Sequence, residues 1–91
     1  KELLKFGETG DDNGQLKSPN GIFVDFNNNI FVVDNGNHRV SLFSASGKFI
    51  QQVLTSDDSL CWPEAISISD SGFMAITEFG IESDCVRMYR F

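Results

Sequence analysis

The densest run of chemically capable side chains is DNGNHR, residues 34–39, which sets a carboxylate, two amides, an imidazole and a guanidinium within six positions. Two uses of such a run compete. In one, Asn35, Asn37 and His38 stand on an exposed loop and contact a partner. In the other, Asp34 and Arg39 pair across a turn, while Gly36 and the asparagines take positive φ. His38 is the sole histidine of the chain. A zinc site needs three or four ligands, and His38, Cys61 and Cys85 lack the close paired spacing of such sites. The loop TGDDNG suggests calcium, yet aligning Gly14 as the sixth residue of an EF-hand loop puts Thr9 first and Asn20 last, where acids are required. Local sequence supports no Ser/His/Asp or Cys/His catalytic set. The expectation is a non-enzymatic chain with no metal and no cofactor. Trp62, the one tryptophan, stands beside Pro63 and is either packing or an aromatic anchor for a ligand.

Charge narrows the partner. Thirteen acids face seven bases, for a formal net charge of −6. Nucleic-acid affinity rests largely on Lys and Arg, so this balance points away from a phosphate backbone. The composition, 41% hydrophobic and 22% charged, is that of a globular domain, and nine phenylalanines supply apolar area for a core. No apolar run approaches the ~20 residues a membrane-spanning helix needs. Two cysteines and the absence of any N-x-[ST] site lean toward a reducing, cytoplasmic setting.

The elements that must position these residues are strands. Residues 3–6, 22–25, 30–34, 39–43 and 48–53 are short runs rich in Val, Ile and Phe, bounded by Asn, Gly, Asp or Ser. No segment carries a 3.6-residue apolar stripe of helical length. The pattern then recurs. Pro19, Ile22, Val24 and Asp34 return 44 residues on as Pro63, Ile66, Ile68 and Glu78, and RVSLF returns as CVRMY at an offset of 46. Four short strands repeated every 40–50 residues are the signature of a β-propeller blade, so the fold class is all-β.

Residues 6–50 resemble an NHL repeat, whose landmarks F-G, G-x-L, P-x-G-I-x-V-D, N-x-I-x-V-x-D, G-N-x-R-V and G-x-F are nearly all present. Residues 51–91 resemble a degenerate copy, with Glu64-Ala65 in place of Asn-Gly and no Gly-Asn-x-Arg loop. The ending DCVRMYRF is similar to the last blade of tripartite-motif (RING, B-box, coiled-coil) NHL ubiquitin ligases. The resemblance implies a segment of a propeller of about six blades. Residues 1–6 would be the outer strand of a preceding blade, 7–53 one NHL blade, and 54–91 a degenerate blade lacking its outer strand. Two blades cannot close a ring, so either further blades belong to the same protein or copies of this chain self-associate.

In such blades the loops between strands two and three share one face with those leading to the next blade. That face would carry Asn35, Asn37, His38, Asp57, Asp58, Trp62 and Glu82, with Glu8, Asp11, Asp12, Glu64 and Asp84 set against only Lys17 and Arg39. The implied function is recruitment of a protein partner or ubiquitination substrate. Single-stranded RNA is an alternative that the acidic loops disfavour. An extracellular sensor or a peptide-amidating-lyase-like propeller is another, and one histidine fits poorly with the several metal-binding histidines of such a lyase. Cys61 would lie before an innermost strand and Cys85 would open a third. Two strand spacings, ~9.5 Å, exceed the ~7 Å reach of a disulfide, so two free, buried thiols are expected.

Overall fold

The computed structural model describes residues 1–80 and 84–91. Strands β1 (Pro19–Val24), β2 (Ile30–Asp34), β3 (Arg39–Phe43) and β4 (Phe49–Leu54) form an antiparallel sheet in chain order, and β5 (Pro63–Ile68), β6 (Phe73–Phe79) and β7 (Asp84–Arg90) form a second. Helical structure among the described residues is confined to two three-residue 3₁₀ turns, Asn35–Asn37 and Ser56–Asp58. The all-β blade architecture read from the sequence is therefore the fold.

Alternation explains how the sheets stack. One face of the first sheet presents Phe31, Val33, Val40, Leu42 and Leu54, all buried. They meet Met74 and Ile76 of β6 and Leu60 of the connecting loop, with Phe23, Ile66, Ile68 and Tyr89 closing the margins. Each such side chain removed from water is worth about 1.5–3 kcal/mol, and this shared layer makes one body of the two sheets. The second sheet's other face is open, with Phe79, Val86 and Met88 exposed, whereas that of the first is open along β1, at Ile22 and Val24, and buries Val32, Ser41 and Phe43.

Both innermost strands begin earlier than their apolar residues suggest. β1 starts at Pro19 rather than 22, and its register with β2 slips between Pro19 and Gly21. β5 repeats the irregularity between Pro63 and Ala65. These bulges re-aim one side chain per blade, Asn20 and Glu64, which a strict alternation would not reveal. Gly21 follows the first bulge where the two backbones close in: a Cβ there would lie 2.7 Å from the Glu64 carbonyl oxygen. Its counterpart Ala65 is exposed, so the second blade departs from Gly where no such approach constrains it.

Residues 1–8 form no strand here. The expected strand over residues 3–6 needs a ladder supplied by another blade. Its Phe6 instead packs against Phe43, ring centroids 4.8 Å apart.

Candidate partner-binding face

The two ends of the sheet stack are built differently. At one end, short turns satisfy themselves. Asp25 Oδ1 accepts the N–H groups of Asn27 and Asn29 at 2.8 and 2.9 Å, and the Ser69 hydroxyl accepts the Phe73 N–H at 3.1 Å. At the other end, residues 7–18, 34–38 and 55–64 are long and tied to one another across the blades. That second end is the candidate site.

Its centre is Asp34, fully buried. Oδ1 accepts the Lys17 N–H at 2.7 Å, and Oδ2 accepts Asn37 Nδ2 and Arg39 Nε, each at 2.9 Å. Arg39 uses its remaining donors on the carbonyls of Asp11, Asp12 and Gln15, at 2.9, 3.0 and 2.8 Å. The cation that the acidic-looking loop TGDDNG gathers around is therefore a guanidinium of its own chain. The pairing of Asp34 with Arg39 is as the sequence suggests, but Gly36 and the asparagines do not take positive φ. A 3₁₀ turn spans them, and His38 takes the left-handed conformation at φ 53°. Gly36 is needed for another reason. Its N–H donates to the Lys17 carbonyl at 2.7 Å, and a Cβ would sit 2.6 Å from that oxygen.

The second blade rebuilds this hub with different residues. Glu78 accepts the Cys61 N–H at 2.9 Å, Cys85 Sγ at 3.3 Å and Arg87 Nε at 2.8 Å. Cys85 is the register partner that Arg39 would be, and Arg87 lies two residues along on the same face. The extra methylene of Glu over Asp reaches that further donor. Burial pushes the Glu78 carboxyl up, but the hydrogen bonds from Arg87, Cys61 and Cys85 outweigh it and hold the group below the usual glutamate range. The same Glu78 bond, with burial, pushes the Cys85 thiol up. Neither cysteine forms a disulfide, as expected, but the burial expected of both is wrong. Cys61, on the loop leading into β5, is exposed, and Cys85, near the start of β7, is half-buried.

Of the residues singled out in the sequence, two turn inward. Asn37 Nδ2 reaches the Gly10 carbonyl at 2.9 Å as well as Asp34. Asn35 Nδ2 donates to the Pro63 carbonyl at 2.9 Å and to Glu64 Oε1 at 3.4 Å, joining the blades. Asp58 caps the 3₁₀ turn: its carboxylate accepts the Thr55 N–H at 3.0 Å, while the Thr55 hydroxyl accepts the Asp57 N–H at 3.1 Å. Asp57 is exposed. Glu82 lies outside the described residues.

His38 and Trp62, from different blades, come together. The Trp62 N–H donates to His38 Nδ1 at 2.9 Å, and the rings meet edge-on with centroids 4.3 Å apart. Trp62 remains 44% exposed. Beside them Glu64 accepts Asn20 Nδ2 at 2.9 Å through Oε2, one bulge residue bonding the next. Glu64 stands at the place of Asn20 one repeat on, an equivalence visible in the sequence, but the contact arises from the two bulges. The sequence carried no signal for the His38–Trp62 contact, because the two residues have different offsets within their blades.

The electrostatics of the face are more acidic than a count of residues suggests. Arg39 is buried on Asp34 and the loop carbonyls, leaving Lys17 as the exposed cation among the described residues of these loops, against Glu8, Asp11, Asp12, Asp57 and Asp58. Among the described residues no three His, Cys, Asp or Glu side chains gather as a metal site. No helix among them is long and apolar enough to cross a membrane.

Antiparallel blades of one repeat, joined through their strand faces with long loops at one end, define a β-propeller segment. Its repeat is of a known kind: residues 16–43 match the family model of the NHL repeat. The chain carries an NHL repeat, and its blades resemble those of tripartite-motif NHL proteins. It is 35% identical over 78 residues to Protein brain tumor of Drosophila melanogaster, a match covering 81% of this chain and 8% of that protein. It is 41% identical over 50 residues to Protein lin-41 of Caenorhabditis elegans, covering 55% of this chain and 4% of that one. To the B-box type zinc finger protein ncl-1 of the same organism it is 42% identical over 45 residues, covering 50% and 5%. The chain thus spans less than a tenth of each of these relatives.

Proposed function

We propose that this chain is part of the partner-recruiting propeller of a RING-type E3 ubiquitin-protein ligase, holding a substrate or adaptor while ubiquitin transfer takes place on another domain. One observation carries this reading. The loop end is a single cross-braced surface that leaves aromatic and acidic groups outward, with Arg39 buried on Asp34 and Arg87 paired with Glu78. Such a surface suits a protein partner, whose recognition draws on aromatic anchors and rim charges. It suits a phosphate backbone poorly, because no cluster of exposed Lys or Arg faces outward there among the described residues. The relationship to a B-box type zinc finger protein supports the ligase setting. Single-stranded RNA is the competing ligand, and the extracellular or amidating-lyase readings find no support in the site.

In this reading residues 7–53 are one blade, 54–91 a degenerate one, and 1–6 belong to the blade before. The exposed parts of the outer faces seat flanking blades, from the same protein or from further copies. The setting is cytoplasmic. The test is capture of partners by the intact protein from cytoplasmic extract, with and without ribonuclease, against an Asp57→Lys variant. Protein partners that survive ribonuclease and fall away with the variant are expected. Partners lost on ribonuclease treatment would move the function to RNA.

A further inference from the structure

Trp62 occupies a backbone position that a bulky residue rarely takes. Its φ is 48°, in the left-handed region, and so is that of Ser18, its counterpart one repeat earlier, at 55°. The blade design therefore demands this conformation before its first strand, and a small polar side chain meets the demand at lower cost. Trp62 does so with a ring that stays 44% exposed, so burial returns only part of what the position costs. The structure nevertheless fixes it. Its N–H is held by His38 Nδ1 at 2.9 Å, and its carbonyl accepts the Phe79 N–H at 3.2 Å. His38, edge-on at 4.3 Å, covers at most one face of the indole. An open aromatic ring on a strained, hydrogen-bonded backbone marks a place where a ligand group belongs.

We infer that Trp62, propped by His38, is the seat of a cationic side chain from a basic segment of the partner. The inference rests on reading this face as protein-binding and names the chemistry it selects. Indole is the strongest of the side-chain rings for a guanidinium or ammonium above its face. The surroundings select the same sign. Asp57, exposed five residues before Trp62, makes no side-chain hydrogen bond among the described residues, and Glu64, two residues after, is held toward Asn20 and Asn35. In a chain of net charge −6, these carboxylates steer a basic segment to the ring and repel an acidic one. An RNA base would also stack on indole, but its phosphates would then meet the same carboxylates.

The experiment is fluorescence anisotropy of the intact protein with three labelled probes: a peptide of alternating Arg and Gly, one of alternating Glu and Gly, and a uridine-rich single-stranded RNA. The Arg peptide binds saturably and the Glu peptide does not. Trp62→Ser, which places the Ser18 solution at the same backbone position, weakens the Arg peptide about tenfold, while Trp62→Phe stays within about threefold. Asp57→Lys, at an exposed site whose cap bond is made by its backbone, weakens it as well. An Arg peptide that binds Trp62→Ser as tightly as the unaltered protein would overturn the inference. Failure to bind the Arg peptide, with protein partners still captured, would overturn it and leave protein recruitment standing. RNA binding that Trp62→Ser abolishes would overturn both.

Discussion

Replacing Asp34 with Ala should be the most damaging single change on the binding face. The substitution removes a fully buried carboxylate that serves three donors. It leaves the Arg39 guanidinium, whose side chain is 11% exposed, without its counter-charge. Stranding one partner of a buried ion pair costs about 3–5 kcal/mol, and the orphaned Lys17 N–H lies within that figure rather than beyond it. A domain of this size holds roughly 5–14 kcal/mol in all, so the loss is a large fraction of the total. It corresponds to a fall in Tm of about 12 °C or more. Asp34→Asn should rescue little. Its oxygen can keep the Lys17 N–H, but its NH₂ then faces Arg39 Nε and Asn37 Nδ2, donor against donor. Asp34→Ala with Arg39→Met should be less unstable than the sum of the single changes, because no charge is left stranded. Urea titrations of the parent, Asp34→Ala, Asp34→Asn, Arg39→Met and the double variant measure these differences. The loop should report too: Arg39 anchors the carbonyls of residues 11, 12 and 15, so Asp34→Ala should admit proteolytic cleavage within 7–18 well below the global transition. A loss under about 1 kcal/mol, or additive single and double changes, would refute the claim that this ion pair organises the face.

Three further outcomes follow from the same geometry. Gly21→Ala should cost about 1–3 kcal/mol by forcing the β1 and β5 backbones apart, whereas Ala65→Gly should cost under about 1 kcal/mol; thermal melts of the pair compare them. Glu78 is held below its ordinary range, so its contribution to stability is complete above about pH 4.3 and is lost as the pH falls through its folded value. Glu78→Gln should therefore flatten the acid limb of the stability profile below that pH and leave its neutral-to-alkaline course unchanged, as denaturant titrations across pH would show. Both thiols should react after denaturation without reductant, and in the folded protein iodoacetamide should label the exposed Cys61 well before the half-buried, Glu78-bonded Cys85, by peptide mass mapping.

What was legible in the chain was what repeats at fixed intervals. Short runs rich in Val, Ile and Phe between turn residues placed strands β2 and β3 at their observed limits, because these strands are buried along nearly their whole length. The recurrence of Pro19 and Asp34 at Pro63 and Glu78 placed the second blade and marked Glu78 as the counterpart of Asp34. The bulges were less accessible. A bulge leaves the composition unchanged and alters only where one side chain points, so the meeting of Asn20 with Glu64 could not be read from their types. Arg39 shows the opposite error: it counts as a surface cation in the sequence, and it is buried in the fold.

By itself the sequence determined an all-β, two-blade segment with an acidic character and no local catalytic set, because strand periodicity, repeat spacing and charge are properties of the chain read in order. The tertiary structure alone decided which of its polar residues are spent on the protein itself. Asn37, Asp58 and Arg39 look as available as His38 and Trp62 until the blades are stacked. Then backbone groups 24 to 28 residues away claim the first and third, and a neighbouring cap claims the second. Availability depends on which distant donors and acceptors arrive at each side chain, and that is settled only when the loops of both blades close over one end of the core.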